Sequence, residues 1–232
     1  MNIFAAFRSL RRHERILWIV SVIVVTASFL LVPERDYMTL AASLIGVTAL
    51  IFVAKGYVIG QVLTVVFAVF YGIISYYCRY YGEMITYLCM SSPIAILSVI
   101  SWYRHPYRDS DEVEVNRVTR RQVVLMWVMA IAVTVLFYFI LKALGNASLL
   151  VSTVSVTTSF LASWLTFLRS PYYALAYAAN DVVLIILWII ASVADISCLP
   201  MIFCFVMFLL NDLYGFINWR QMRKRQMEES AK

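Results

Sequence analysis

The chain alternates between long apolar runs and short polar breaks, and the runs recur at one length. A helix needs about 20 mostly apolar residues to cross a bilayer. Runs of that kind fall at residues 16–32, 37–54, 58–77, 83–102, 122–143, 150–168, 172–192 and 198–219. The breaks carry turn chemistry: Pro33 with Glu34, Arg35 and Asp36, then Lys55-Gly56, Gly82, Gly145-Asn146, Ser170-Pro171 and Pro200. The pattern predicts an all-α integral membrane protein with eight transmembrane helices.

Composition sharpens this reading. Of 232 residues, 63% are apolar and 14% charged, against about 45–50% and 25% in soluble domains. A single soluble core would leave most of the apolar side chains over, and lipid is the solvent that suits them. Charges crowd into the first fifteen residues, the stretch Arg104 to Arg121, and the tail from Arg220. The net charge of +6 therefore flanks apolar spans instead of forming a stripe with aromatics, and nucleic acid is not an expected partner. With the N-terminus in the cytoplasm, 16 Lys and Arg fall inside, and only Arg35, Arg79 and Lys142 fall outside. That asymmetry predicts both termini cytoplasmic. The first span follows a basic run but lacks an A-x-A-like cleavage site, so it is expected to be a retained anchor. Cys78, Cys89, Cys198 and Cys204 are scattered, with no C-x-x-C pair and no His nearby. They read as small apolar fillers, with no disulfide or metal framework expected.

Two stretches look like copies of one unit. Ile100-Ser101-Trp102 near the end of the fourth span and Ile217-Asn218-Trp219 near the end of the eighth stand 117 residues apart. Ala54-Lys55-Gly56 and Leu168-Arg169-Ser170 occupy corresponding short turns. Pairing spans two to four with six to eight leaves the fifth as a linker. The arrangement is a parallel repeat of three plus one plus three helices behind an extra N-terminal helix, the SWEET-like plan that places substrate at the repeat interface. The expected segments are 1–36, 37–105, 106–148, 149–220 and 221–232.

Polar groups at membrane depth usually face a cavity or a partner helix. Asn180-Asp181 lies near the middle of the seventh span, and Tyr173, Tyr177 and Asn180 share one helical face. Two phenol rings and an amide suit a solute with an aromatic ring and hydroxyls. The alternative is that these side chains only join neighbouring helices. In the eighth span stand Asn211, Asp212, Tyr214 and Asn218. Asn211 and Asn218 share a face with Tyr214, and Asn218, near the membrane edge, is expected to be solvated. Gln61, Thr64, Phe67 and Tyr71 form a matching stripe on the third span, and Trp164 sits in the sixth. Glu83 and Arg79 flank an external turn and are expected to be solvated. Catalysis is disfavoured: His13 and His105 lie outside the spans, and no paired carboxylates face each other at helical spacing within one span. No phosphate-cradling loop or cofactor motif stands out.

Val53-Ala54-Lys55-Gly56, the stretch Leu209 to Arg220, and Ser170-Pro171-Tyr172-Tyr173 running into Asn180-Asp181 together resemble the PnuC family of bacterial nicotinamide riboside transporters. The similarity covers roughly residues 37 to 225. It implies a SWEET-like bundle in the bacterial inner membrane, and facilitated diffusion made unidirectional by phosphorylation inside the cell. Family members typically place tryptophans ahead of an Asn or Asp on the seventh span. Here Tyr173 or Ala174 and Tyr177 stand in their place, ahead of Asn180 or Asp181. Related transporters of thiamin, riboflavin or deoxynucleosides share the architecture and stay open as alternatives. The substrate-binding set expected from residues and resemblance together is Tyr173, Tyr177, Asn180, Asp181, Asn211, Tyr214, Trp164, Gln61, Thr64, Phe67 and Tyr71. Aromatic faces attract a cationic nicotinamide ring by about 0.5–2 kcal/mol per contact, and an ionised Asp181 would add a counter-charge. No cofactor is expected, the partners are a small molecule and the lipid bilayer, and the fold type is compatible with a homo-oligomer.

Overall fold

The computed structural model describes residues 3–32, 36–108, 110–146 and 148–230. A short α1 (Ile3–Arg8) precedes α2 (Arg12–Leu30), α3 (Tyr37–Ala54) and α4 (Val58–Tyr77). The fourth span is composite: α5 (Tyr81–Ile85), a π-helical stretch Thr86–Ser91, and α6 (Ser92–Arg104). Then come α7 (Arg120–Ala143), α8 (Leu149–Phe167), α9 (Tyr173–Ala194), a 3-10 turn Ile196–Cys198 and α10 (Leu199–Ser230). Among the described residues eight spans are long and apolar enough to cross a membrane, and only two isolated β-bridges break the helical pattern. Of the turn expected at Pro33 to Asp36, residues 33–35 lie outside the described residues. Asp36 caps α3, accepting from the backbone N–H groups of Met38 at 2.9 Å and Thr39 at 3.2 Å. The eighth helix runs well past its expected end at 219, because nothing in the tail breaks a helix and a loop packs along it.

Helix contacts run in a closed ring: α3 on α4, α4 on α6, α6 on α8, α8 on α9, α9 on α10, and α10 back on α3. Two of the spans stand outside it. The first, α2, packs on α3 and α10, and α7 packs on α8. Accordingly α7 leaves Val124, Leu125, Ile131, Leu136 and Phe139 exposed, as lipid-facing side chains should be.

The ring is tied at its basic end by side chains that cap helix termini. A helix leaves its last carbonyls unpaired, and buried ones need partners. Trp102 donates its indole N–H to the Thr166 carbonyl at 3.0 Å, and the Ser101 hydroxyl donates to Phe167 at 3.2 Å. Across the other seam, the Trp219 N–H reaches the Val53 carbonyl at 2.9 Å, and the Asn218 amide reaches Ala54 at 2.8 Å. Asn218, expected in solvent, is thus half-buried and caps α3. The α3–α4 turn passes through Gly56 (φ +72°) and the α8–α9 turn through Arg169 (φ +56°), both left-handed. The segment 105–119 clasps both turns: Val113 N–H donates to Gly56 at 2.9 Å, and Asn116 N–H to Arg169 at 3.1 Å. Gln226 of α10 accepts from Val115 N–H at 2.9 Å and donates to the Val113 carbonyl at 3.1 Å, and Arg225 pairs with Glu112.

Two features of the far end differ from expectation. Glu83 is fully buried, not solvated, because α5 begins at Tyr81 and its first turn packs on α8. Neither of its carboxylate oxygens has a partner among the described residues. Arg79, by contrast, is exposed, as expected. The second feature is a pair of cysteines. Cys78 and Cys198, remote in sequence, meet with their sulfurs 3.4 Å apart.

Candidate functional site

The ring encloses a narrow cavity of about 50 Å³. Its wall draws on every span of the ring. Gly46 comes from α3, while Gln61, Thr64 and Phe67 come from α4. Tyr87 and Ser91 come from the π-helical stretch and Ser159 from α8. Tyr177, Asn180 and Asp181 come from α9, and Phe208 and Asp212 from α10. Among the described residues, no Lys, Arg or His lines it. Local geometry explains the choice of side chains. Gln61, Thr64, Phe67 and Ala68 follow one face of α4, and Tyr177, Asn180 and Asp181 one face of α9. A π-helical turn holds an extra residue, a feature often found at functional sites, and here it supplies Tyr87 and Ser91, while Ala95 of α6 adds a third contribution from the fourth span.

The polar groups are set against apolar walls. Asn180 Oδ1 accepts from the hydroxyls of Thr158 at 2.7 Å and Ser159 at 3.0 Å, which leaves its NH₂ to serve a ligand. The Tyr177 hydroxyl is 3.3 Å from that of Ser163. Asp181 and Asp212 face the same cavity, and Asp181 Oδ2 is buried without a partner among the described residues. Two neighbouring carboxyl groups are thus set into one wall of the cavity. Phe67, Tyr87, Tyr177 and Phe208 supply aromatic surface beside them.

Aromatic layers close both ends. Toward the far end Tyr71 accepts the Trp188 indole N–H at 2.9 Å, with its ring centroid 4.3 Å from Tyr87 and 5.5 Å from Phe205. At the basic end the Trp102 and Trp219 rings lie 5.3 Å apart, and Tyr173 packs edge-on against Trp219 at 5.0 Å.

Six of the eleven residues expected at the site are brought together on the cavity wall: Gln61, Thr64, Phe67, Tyr177, Asn180 and Asp181. Five are not. Tyr71 and Tyr173 belong to the two closing layers just described. Trp164 packs between Phe160 and Phe167, in the cluster shared with α7. Asn211 donates to Ser21 of α2 at 3.1 Å, and Tyr214 donates to Glu14 of α2 at 2.7 Å. Asn211, Tyr214 and Asn218 do share a face, but it looks outward to α2 and the end of α3. The neighbouring Asp212 is turned about 100° from Asn211 and looks inward. Asp212, Phe208, Tyr87, Ser91 and Ser159 complete the wall and were not among the expected site residues. The i, i+4 spacing of Phe208 and Asp212 is a signal that could have found that pair.

The sequence and the fold are both matched among known proteins. The profile of the nicotinamide mononucleotide transporter family covers residues 36–221. The chain belongs to this family. It is 25% identical over 218 residues to the nicotinamide riboside transporter PnuC of Neisseria mucosa, covering 92% of this chain and 83% of that one. It is 24% identical over 194 residues to the protein of the same name from Haemophilus influenzae, covering 82% of each. A crystal structure of the vitamin B3 transporter PnuC matches with a TM-score of 0.82 at 25% identity, over 94% of both chains. The PnuC resemblance carried by Val53 to Gly56, Ser170 to Asp181 and Leu209 to Arg220 is therefore one of family. Because the profile begins at residue 36, α1 and α2 fall outside the matched region.

Proposed function

We propose that this chain carries nicotinamide riboside across a bacterial inner membrane by facilitated diffusion, its basic end and both termini facing the cytoplasm. The observation that carries the reading is the cavity: four aromatic rings, two amides, two carboxyl groups and no cation. Nicotinamide riboside is a cationic aromatic ring on a ribose, and each part of it has a counterpart there. The rings stack on and attract the pyridinium, Asp181 and Asp212 offer negative charge, and Gln61 and the Asn180 NH₂ suit ribose hydroxyls. A phosphorylated product is anionic and is repelled by the same carboxyl groups. Phosphorylation in the cytoplasm would therefore trap the substrate without any energy source in the transporter.

Alternating access follows from a three-plus-one-plus-three plan. The first unit is α3, α4 and the composite α5–α6 span (37–105), the second is α8 to α10 (149–220), and α7 is the linker. Support comes from the paired seams, where Ser101-Trp102 caps the end of α8 and Asn218-Trp219 caps the end of α3. Two units rocking about the cavity would expose it to each side in turn.

Uptake into proteoliposomes tests the reading. Labelled nicotinamide riboside is expected to enter by a saturable route that needs no ion gradient and stops at equal concentrations. Entry of thiamin, riboflavin or a deoxynucleoside in its place would keep the transport plan and change the ligand. Uptake of none of them would overturn the proposal.

A further inference from the structure

Cys78 follows the last residue of α4, and Cys198 ends the 3-10 turn that leads into α10. In the ring, α4 has α3 and α6 as its packing neighbours, whereas α10 has α3 and α9. The contact between these cysteines therefore crosses the ring instead of following it. Their sulfurs are 3.4 Å apart and both are free thiols, Cys78 half-buried and Cys198 buried. A disulfide needs an S–S bond of about 2.05 Å and Cβ atoms about 3.5–4.5 Å apart, a small adjustment from sulfurs already in contact.

The same crossing is made below the cysteines by the layer that closes the far end of the cavity. Tyr71 of α4 meets Trp188 of α9 and Phe205 of α10, and Tyr80 packs against Trp188 with ring centroids 5.7 Å apart. Opening that end requires α4 to part from α9 and α10. A covalent link at Cys78–Cys198 would forbid it.

We propose that Cys78 and Cys198 are a redox site whose disulfide locks the outer gate of this transporter shut. The placement outside the cell and the effect on transport rest on the orientation and function proposed above. The cysteine pairing rests on geometry alone. The oxidant is a small-molecule or protein disulfide met at the outer face. The Cys78 thiol gives up its proton, and its thiolate attacks one sulfur of that disulfide, forming a mixed disulfide and releasing one thiol. Deprotonated Cys198 then attacks the Cys78 sulfur, expelling the second thiol. Two electrons pass from the cysteine pair to the oxidant, and the two cysteine protons end on its thiols. A disulfide persists only in an oxidising compartment, which the outer face of a bacterial inner membrane provides.

The test uses the full chain in membranes, incubated with oxidised glutathione or with a phosphine reductant. Alkylation of free thiols followed by peptide mass spectrometry reads the bond directly. A Cys78–Cys198 crosslinked peptide in the oxidised sample, absent after reduction, is expected. Saturable uptake of nicotinamide riboside should be absent from the oxidised protein and return on reduction. The Cys78→Ser and Cys198→Ser variants should transport equally under both conditions, and Cys89→Ser, on an exposed position, should behave as the wild type. Complete alkylation of both cysteines after oxidation overturns the site, and a bond that forms with uptake unchanged overturns the gate. Failure of uptake in every sample would instead count against the transport reading, with the peptide result still deciding the pairing.

Discussion

Trp102 and Trp219 lie with ring centroids 5.3 Å apart, and each gives its indole N–H to the last turn of a helix in a different seam. Both are fully buried. One contact therefore joins the two seams at the basic end. Replacing Trp219 by Phe keeps an aromatic ring but removes the indole bond to the Val53 carbonyl, which keeps its bond from the Gly56 N–H. A lost hydrogen bond costs about 0.5–1.5 kcal/mol, so W219F should lower the thermal unfolding midpoint in detergent. W102F should do the same through Thr166. The double variant should depart from additivity, because the rings touch.

Asp181→Asn and Asp212→Asn keep the shape of the cavity and replace each carboxyl group by a neutral amide. Each should weaken binding of nicotinamide riboside by about tenfold or more, the order expected of a charged contact. Affinity for an uncharged nucleoside should change far less. Calorimetric titration with both ligands checks this, and equal losses for the two would count against a charge-reading cavity.

Gly46 is where α3 makes room for two rings. A Cβ at this position would stand 2.3 Å from Phe208 Cζ and 3.0 Å from Phe67 Cδ2. Gly46→Ala should push Phe208 into the cavity and cut substrate affinity by about tenfold, while overpacking costs roughly 1–3 kcal/mol of stability. A variant with wild-type affinity would show that the rings have somewhere else to go.

A buried ion pair is one of the ties that attach α2 to the ring. Lys55 Nζ is 3.1 Å from Glu14 Oε2, with the two side chains 9% and 1% exposed, and Tyr214 and the Arg11 N–H also donate to Glu14. Glu14→Ala strands the ammonium. Breaking a buried pair costs about 3–5 kcal/mol, so expression and unfolding temperature should both fall. Replacing the pair together by Gln and Met should be milder than the single change, which a thermal series on the three variants would reveal.

The helices were legible because lipid demands one thing of a span, and the demand is written in every residue of it. All eight expected runs are helices, most with ends within two or three residues. The cavity was half legible. Periodicity put Gln61, Thr64 and Phe67 on one face of α4 and Tyr177 and Asn180 on one face of α9. It could not say which polar face of α10 looks inward. Asn211, Tyr214 and Asn218 make as regular a stripe as any site, and they serve α2 and α3. Glu83 has a similar history: as the first residue of the run 83–102 it stands beside an external turn, until the start of α5 at Tyr81 folds it inside. The cysteine contact left no local trace at all, since it depends on how the ends of α4 and α10 meet.

The helix outside the ring on the α8 side, α7, buries few of its side chains and lines no part of the cavity. In the proposed three-plus-one-plus-three plan its contribution is parity. Three crossings followed directly by three more would thread the second half through the bilayer upside down. One additional crossing restores its direction, so that α3 and α8 both end at the basic face and can be capped there alike. Any apolar span of the right length could do this, and the sequence of α7 should be the freest in the protein to drift.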